Sequence, residues 1–264
     1  MNLSTAVLLF VLPMCALPAA GTVAAAAPST TSGDAFDHAD YDALLKKHVK
    51  ADRVDYKALL AVRGTLDAYV ARLAKLPKDE FEKLARPEQM AFWINAYNAV
   101  TLVTILDHYP TPSIKKIDDA WKKKHMVASQ QVSLDDIEHE ILRKQWKDPR
   151  IHAAVNCASI GCPPLRAEAY TGARIDVQLD EQMKKFVTDP LRNTVDPQAK
   201  KLEVSKVFDW FGDDFGRKEN PRALLDWFEK YGLPEWKPFL AAAKPGDVSF
   251  TDYNWDLNDI SPKG

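Results

Sequence analysis

Apolar positions recur at helical spacing through most of the chain. In "DYDALLKKHVKADRVDYKALLAVRGTLDAYVARLAKL", Leu44 and Val49, then Leu66, Val70 and Leu73, predict helices across residues 34–76. A break around Ala51–Val54 predicts a short extended piece between them. "LPKDEFEKLARPEQMAFWINAYNAVTLVTILDHYP" then predicts a short acidic helix, a break at Pro87 and a long helix beginning just after it. Pro110 and Pro112 close that helix. The stretch from Ile114 to Val132 is irregular, with a short hairpin in "HMVASQQVS". "SLDDIEHEILRKQW" is a marked helix, with Ser133 as its cap and Asp136 in the capping-box position.

"RIHAAVNC" has an imperfect alternation that predicts a strand buried on both faces. "IDVQLDEQMKKFVTD" is amphipathic and helical, "KLEVSKVFDWFGDDF" starts as a strand and turns helical, and "PRALLDWFEKYG" is a helix stopped at Gly232. "VSFTDYNWDLND" closes the pattern as an extended segment. These elements predict an α+β fold: one mostly helical domain with a small, largely antiparallel sheet. A doubly wound nucleotide fold is disfavoured, because no glycine-rich strand-to-helix turn occurs. Trp210, Trp227 and Trp236 fall within apolar stripes and are expected in the core.

The N-terminus follows a different pattern. "STAVLLFVLPMCALPAAGTVAAAAPSTTSG" is an apolar run followed by small residues, as in a secretory signal peptide cleaved between about Ala20 and Ala27. The expected organisation is a signal peptide over 1–27, a flexible segment over 28–33 and a globular domain over 34–264. An anchor would need about 20 continuous apolar residues, and Pro13 and Pro18 interrupt the run. Met14 is bulky in front of Cys15, which disfavours lipidation there. The expected product is exported, periplasmic or secreted, with no transmembrane segment in the mature chain.

Composition narrows the function classes. Of 264 residues, 35 are basic and 37 acidic, a near-balance that argues against nucleic acid as partner. The Lys122–Lys124 run is expected on a solvated face. Export would leave two cysteines, Cys157 and Cys162, in a compartment where disulfides persist. A local disulfide and a reactive thiol therefore both stay open.

Candidate chemistry gathers in three segments. Asn95 and Asn98 share a face of the long helix, either lining a cleft or tying the helix to nearby loop backbone. Glu138 and His139 flank the apolar stripe of the next helix and are placed to enter a pocket, unless Asp135, His139 and Arg143 form a ladder on a wet face. Strand parity would put His152 and Cys157 on opposite faces. His139 would then be the histidine able to activate Cys157, while Cys162 precedes two prolines where a helix could start. The His139, His152, Cys157 and Cys162 spacing matches no zinc finger or zincin, and no G-x-S-x-G is present. No metal or other cofactor is expected.

Read in order, "FWINAYNAVTL", "SLDDIEHEILR", "DPRIHAAVNCASIGCPPLR", "LEVSKVFDWFGDDF" and "YNWDLND" resemble the family called domain of unknown function 547. The family pattern in the third motif reads H-F-A-L-x-C-G; here Ala153 stands for the aromatic and Ala158 for the glycine. The arrangement is similar to papain-like and transglutaminase-like thiol enzymes, and by that analogy Asn95 holds the usual nucleophile position. The expectation is thiol-dependent acyl transfer or hydrolysis of an amide or thioester. Cys157 is the nucleophile, His139 or His152 the base and Glu138 the orienting carboxylate. Arg150 clamps an anionic group, and Asn95, Asn98 and Cys162 contribute to the substrate pocket. The alternative is a non-catalytic module that binds a small molecule or peptide, with Cys157 joined to Cys162.

Overall fold

Helix α5 (Arg86–Leu106) organises the fold. Its residues from Met90 to Leu102 are buried without a break, so the helix is enclosed on every side and not merely along one stripe. Pro87 sits in its first turn, where a missing N–H costs nothing. The structure is a computed structural model that describes Met1 and residues 35–260. Apart from Met1, the expected signal peptide, with Cys15 and the segment 28–33, lies outside the described residues.

Around α5 pack α1 (Ala39–His48), α2 (Tyr56–Ala61), α3 (Arg63–Lys75) and the short α4 (Lys78–Lys83). The break expected near Ala51 is the turn of a hairpin, β1 (Val49–Lys50) with β2 (Arg53–Val54). A second hairpin joins β3 (His125–Val127) to β4 (Gln130–Val132). Both two-residue turns, Ala51-Asp52 and Ala128-Ser129, have positive φ throughout, the geometry that matches the twist of the flanking strands.

Next comes the capped helix, and the cap is as the spacing predicts. The Ser133 amide donates to Asp136 Oδ2 at 2.7 Å, and the Asp136 amide donates back to Ser133 Oγ at 3.1 Å. The body differs: Asp136–Leu142 is a π-helix, which tightens to the α-helix α6 (Arg143–Trp146). Such wide turns are uncommon and are found most often at functional sites.

The expected strand "RIHAAVNC" is instead one helical turn, α7 (Ile151–Ala154), followed by extended chain. Asp148 and Pro149 start it, with Asp148 Oδ1 accepting from the Arg150 amide at 2.9 Å. The parity argument separating His152 from Cys157 therefore does not apply.

The second apolar cluster lies between α8 (Ile175–Val187), β6 (Lys201–Val204), α9 (Val207–Trp210) and α10 (Ala223–Tyr231). Phe186, Phe208, Phe215 and Phe228 stack or meet edge-on at its centre. Strand β6 pairs antiparallel with β5 (Thr194–Asp196) and parallel with β7 (Val248–Phe250). Between α10 and β7 runs α11 (Lys237–Ala242), which the sequence pattern did not separate. The single small sheet expected is thus three separate sheets among the described residues, with three of their four pairings antiparallel. Residues 35–260 belong to one compact unit, and no helix among them is long and apolar enough to cross a membrane.

After β7 the chain runs back across the first cluster. Asn258 accepts from Val54, and Leu257 donates to Pro112. Asp256 and Asn254 accept from the amides of Ile160 and Gly161 at 2.8 Å each. This strap holds the loop that carries the cysteines.

Candidate active site: a cysteine and histidine cleft

The loop from Val155 to Leu165 is short of regular hydrogen bonds, and side chains supply them. Pro163 and Pro164 have no N–H to give, and the carbonyls of residues 162–164 face inward. Asn156 Nδ2 donates to the Pro163 carbonyl at 2.7 Å, Arg192 Nε to that of Cys162 at 2.5 Å, and Gln182 Nε2 to that of Pro164. At the front of the loop Asn98 acts twice. Its Nδ2 donates to the Ala154 carbonyl at 3.0 Å, and its Oδ1 accepts from the Asn156 amide at 2.8 Å. Asn156 Oδ1 in turn accepts from the Ala158 amide at 2.9 Å.

Ala158 takes φ +59, in the left-handed region that glycine enters most readily. Gly161 is needed for another reason: a Cβ there would lie 2.9 Å from the Asn254 nitrogen and 3.0 Å from the Tyr253 ring.

This framework turns Cys157 into a cleft of about 270 Å³. Glu138 and His139 enter it from the π-helix, His152 from α7, and Cys157 and Cys162 from the loop. Its aromatic wall is Trp121, Trp210, Phe211, Tyr253 and Trp255. Trp210 was expected in the core but is 46% exposed at the rim, its ring tilted 44° against that of Tyr253, at the last residue of α9. Trp227 and Trp236 are partly buried and pack against the second apolar cluster.

Cys157 Sγ has three polar neighbours: Cys162 Sγ at 3.0 Å, Tyr253 OH at 3.1 Å and Ser159 Oγ at 3.3 Å. The Cys162 thiol donates to it, which lowers the Cys157 pKa; burial opposes this and the two hydroxyls reinforce it, leaving the pKa at about 7. Burial and the adjacent Cys157 push Cys162 in the opposite direction. In this structure both cysteines are free thiols, joined by a hydrogen bond.

His152 is 2% exposed. Burial lowers its pKa, against the opposing pull of Asp214, so the ring is neutral. Burial alone would raise the pKa of Asp214, but hydrogen bonds from His152 and Arg143 hold it well below the usual carboxylate range. His152 Nε2 is 2.7 Å from Asp214 Oδ2, and an ionised carboxylate can only accept, so Nε2 carries the proton. Nδ1 is then a lone pair, buried and without a partner, with Glu138 Oε1 3.8 Å away.

Glu138 accepts from Tyr97 OH at 3.2 Å, and its pKa is raised by burial. On His139, Nδ1 accepts from Arg143 Nη1 at 3.2 Å, which leaves the ring proton on Nε2. The expected ladder is therefore half present: Arg143 joins His139, while Asp135 lines the cleft and Arg143's carboxylate partner is Asp214.

Three of the expected substrate residues lie elsewhere. Asn95 exchanges two hydrogen bonds with the backbone of Tyr170 and is buried beneath it. Asn98 braces the thiol loop from behind. Arg150 is gripped by Asp148, Asp176 and Asp180, on a separate surface beside α8. Its guanidinium is already neutralised.

Asp214 and Tyr253 were missed as chemistry. Asp214 stands in "FGDDF" and Tyr253 opens "YNWDLND", but neither shows a spacing that announces a partner 62 or 96 residues away. Among the described residues, no group of three or more His, Cys, Asp or Glu is arranged to hold a metal ion.

No curated protein and no solved structure matches the chain. Residues 81–187, which hold α5, the π-helix, both histidines and both cysteines of the cleft, match the family model described as "Protein of unknown function, DUF547", the family that the five motifs resemble.

Proposed function

We propose that this cleft carries out thiol-dependent acyl transfer or hydrolysis on a small amide or thioester, in an exported protein. One observation carries the reading: a half-buried cysteine, hydrogen-bonded to Cys162, Tyr253 and Ser159, shares a cleft with a neutral histidine whose buried Nδ1 has no partner. Near neutral pH a large fraction of Cys157 is thiolate, so no base is needed to start.

The thiolate adds to the carbonyl carbon, and the tetrahedral adduct collapses with loss of a thiolate or an amine. A leaving thiolate departs as the anion and a leaving amine takes its proton from water; His139 hydrogen-bonds the departing atom through its Nε2–H and keeps that proton. Water then attacks the acyl-cysteine while His152 Nδ1 takes its proton, and the Asp214 carboxylate stabilises the resulting imidazolium; the adduct collapses to the free acid and the Cys157 thiolate, and the imidazolium returns its proton to the departed group or to solvent. Tyr97 and Glu138 close the floor of the cleft. The aromatic wall favours an acyl group with a flat or apolar body. The scaffold analogy to papain-like enzymes belongs to this proposal, with one difference: the thiol follows a helical turn and does not head the long helix.

A second reading, a non-catalytic module with Cys157 bonded to Cys162, draws on the 3.0 Å between the sulfurs. One assay separates the two. Reduced protein is incubated with aromatic thioesters of N-acetylcysteamine and with aryl amides, and adducts and products are read by mass spectrometry. The enzyme reading expects an acyl adduct on Cys157 and turnover that falls sharply in His152→Ala. Turnover unchanged in Cys157→Ala sinks it.

A further inference from the structure

The two sulfurs differ in access more than in position. Cys157 is half-buried and fronts the cleft, while Cys162 is 5% exposed behind it, yet the pair stands 3.0 Å apart. The intervening loop is held from both sides: by Asn98 and Asn156 within, and by the Asn254 and Asp256 carbonyls of the strap. A bond of about 2.05 Å therefore needs roughly one ångström of closure, within reach of side-chain rotation. The Cys157 amide also donates to Cys162 Sγ at 3.0 Å, so the rear sulfur has its own hydrogen-bond donor in the backbone.

We infer that Cys157 and Cys162 form a thiol–disulfide exchange couple, with Cys157 attacking small disulfides that enter the cleft and Cys162 resolving the product. This shares its nucleophile with the acyl chemistry above but requires no acyl substrate. In the first step the Cys157 thiolate attacks one sulfur of R–S–S–R, forming Cys157–S–S–R and expelling R–S⁻. Burial and the neighbouring Cys157 sulfur together keep Cys162 protonated, and that step removes the second of the two. Cys162 then loses its proton to the expelled thiolate, with the Cys157 amide stabilising the new anion. It attacks Cys157 Sγ, forms the Cys157–Cys162 bond and expels the second R–S⁻. The protein is oxidised by two electrons, and the external disulfide is reduced to two thiols. A half-buried attacking sulfur fronting the cleft and a buried resolving one are the arrangement this sequence of steps requires.

Bis(2-hydroxyethyl) disulfide is small enough to serve as the probe. The full chain is reduced, freed of reductant, mixed with it near pH 7 and quenched with acid, and peptide mapping separates Cys15 from the pair. The wild type is expected to lose two hydrogens and end with both cysteines blocked. Cys162→Ser, or Cys162→Ala should the serine misfold, is expected to stop at a mercaptoethanol adduct on Cys157. Cys157→Ser should react at Cys162 on the order of 100-fold more slowly. A stable adduct on Cys157 in the wild type, or undiminished reaction in Cys157→Ser, overturns the couple. Loss of thioester turnover with exchange intact would sink the acyl reading and leave this one standing.

Discussion

The imidazole of His152 lies against the ring of Phe211, with centroids 3.9 Å apart and planes 19° from parallel. Phe215 touches a second side of the imidazole at 5.8 Å, which is how a histidine at the edge of a cleft stays neutral. Removing the Phe211 ring hydrates the imidazole and relieves the burial that depresses its pKa. Phe211→Ala should therefore raise the His152 pKa towards the ordinary value of about 6.5. An imidazole titration by NMR, assigned through His152→Gln, checks it; an unchanged or lower value would show that Phe211 does not shield the ring.

Asp214 joins that histidine to Arg143, with three contacts between 2.6 and 2.9 Å. Its folded pKa lies below the unfolded one, so its contribution is present above about pH 3.9 and is lost as the pH falls below that. Asp214→Asn should cost about 1.5–3 kcal/mol near pH 7, the range for a hydrogen bond to a charged group. In urea unfolding, the gap between variant and wild type should narrow below pH 4. A gap independent of pH would mean that the charge is irrelevant.

His38 marks the pH interval just above that of Asp214. It is 5% exposed and bonded to Tyr69 OH at 2.7 Å, and burial lowers its pKa to about 4. The unfolded chain binds the proton first, near pH 6.5. Stability is thus full above pH 6.5 and declines as the pH falls towards 4, by at most about 3 kcal/mol. His38→Gln, which can keep a bond to Tyr69, should flatten that part of the pH profile. A slope identical to the wild type would assign the effect to other groups.

The two asparagines of α5 separate stability from reactivity. Either alanine substitution leaves one buried carbonyl and one buried amide without a partner, a loss of roughly 2–4 kcal/mol. Only Asn98 touches the thiol loop. Asn98→Ala should alter the rate and pH midpoint of Cys157 alkylation, which is expected near 7 in the wild type. Asn95→Ala should destabilise comparably and leave alkylation of the folded protein unchanged. Equal effects on Cys157 would contradict this division.

Gly161→Ala tests the contact between loop and strap. The added methyl meets backbone at 2.9 Å, which a side-chain movement cannot relieve. Overpacking of this kind costs about 1–3 kcal/mol. As Tyr253 is pushed back, Cys157 loses a donor, and its alkylation midpoint should move upward by roughly 0.7 of a pH unit for a bond worth about 1 kcal/mol. A destabilised variant with an unmoved midpoint would separate Tyr253 from the thiolate.

Much of this arrangement could be read from local signals. The Ser133 and Asp136 cap, Pro87 at the head of α5 and the hairpin at His125–Val132 follow from spacing of a few residues, and the structure has all three. "RIHAAVNC" misled because Ala153 and Ala154 fit a strand or a helix equally. The neighbouring Asp148-Pro149 was the better guide, being a helix start. The π-helix has no composition of its own; it is set by what surrounds Glu138 and His139. Arg150 is placed by carboxylates on α8, and Asp214 by a histidine 62 residues away. No pairing at that distance has a signature along the chain.

The strap also sets an order of events. Gly161, Ile160, Ala158 and Ser159 are all tied to residues between Asn254 and Asn258, and Tyr253 supplies one of the three neighbours of the reactive sulfur. A chain ending before Tyr253 contains both cysteines, both histidines and Asp214, yet its thiol loop has nothing to lie against. The cleft is therefore completed last. A nascent or clipped polypeptide carries the chemistry in an unassembled form, and reactivity arrives only once the far end of the chain has come home.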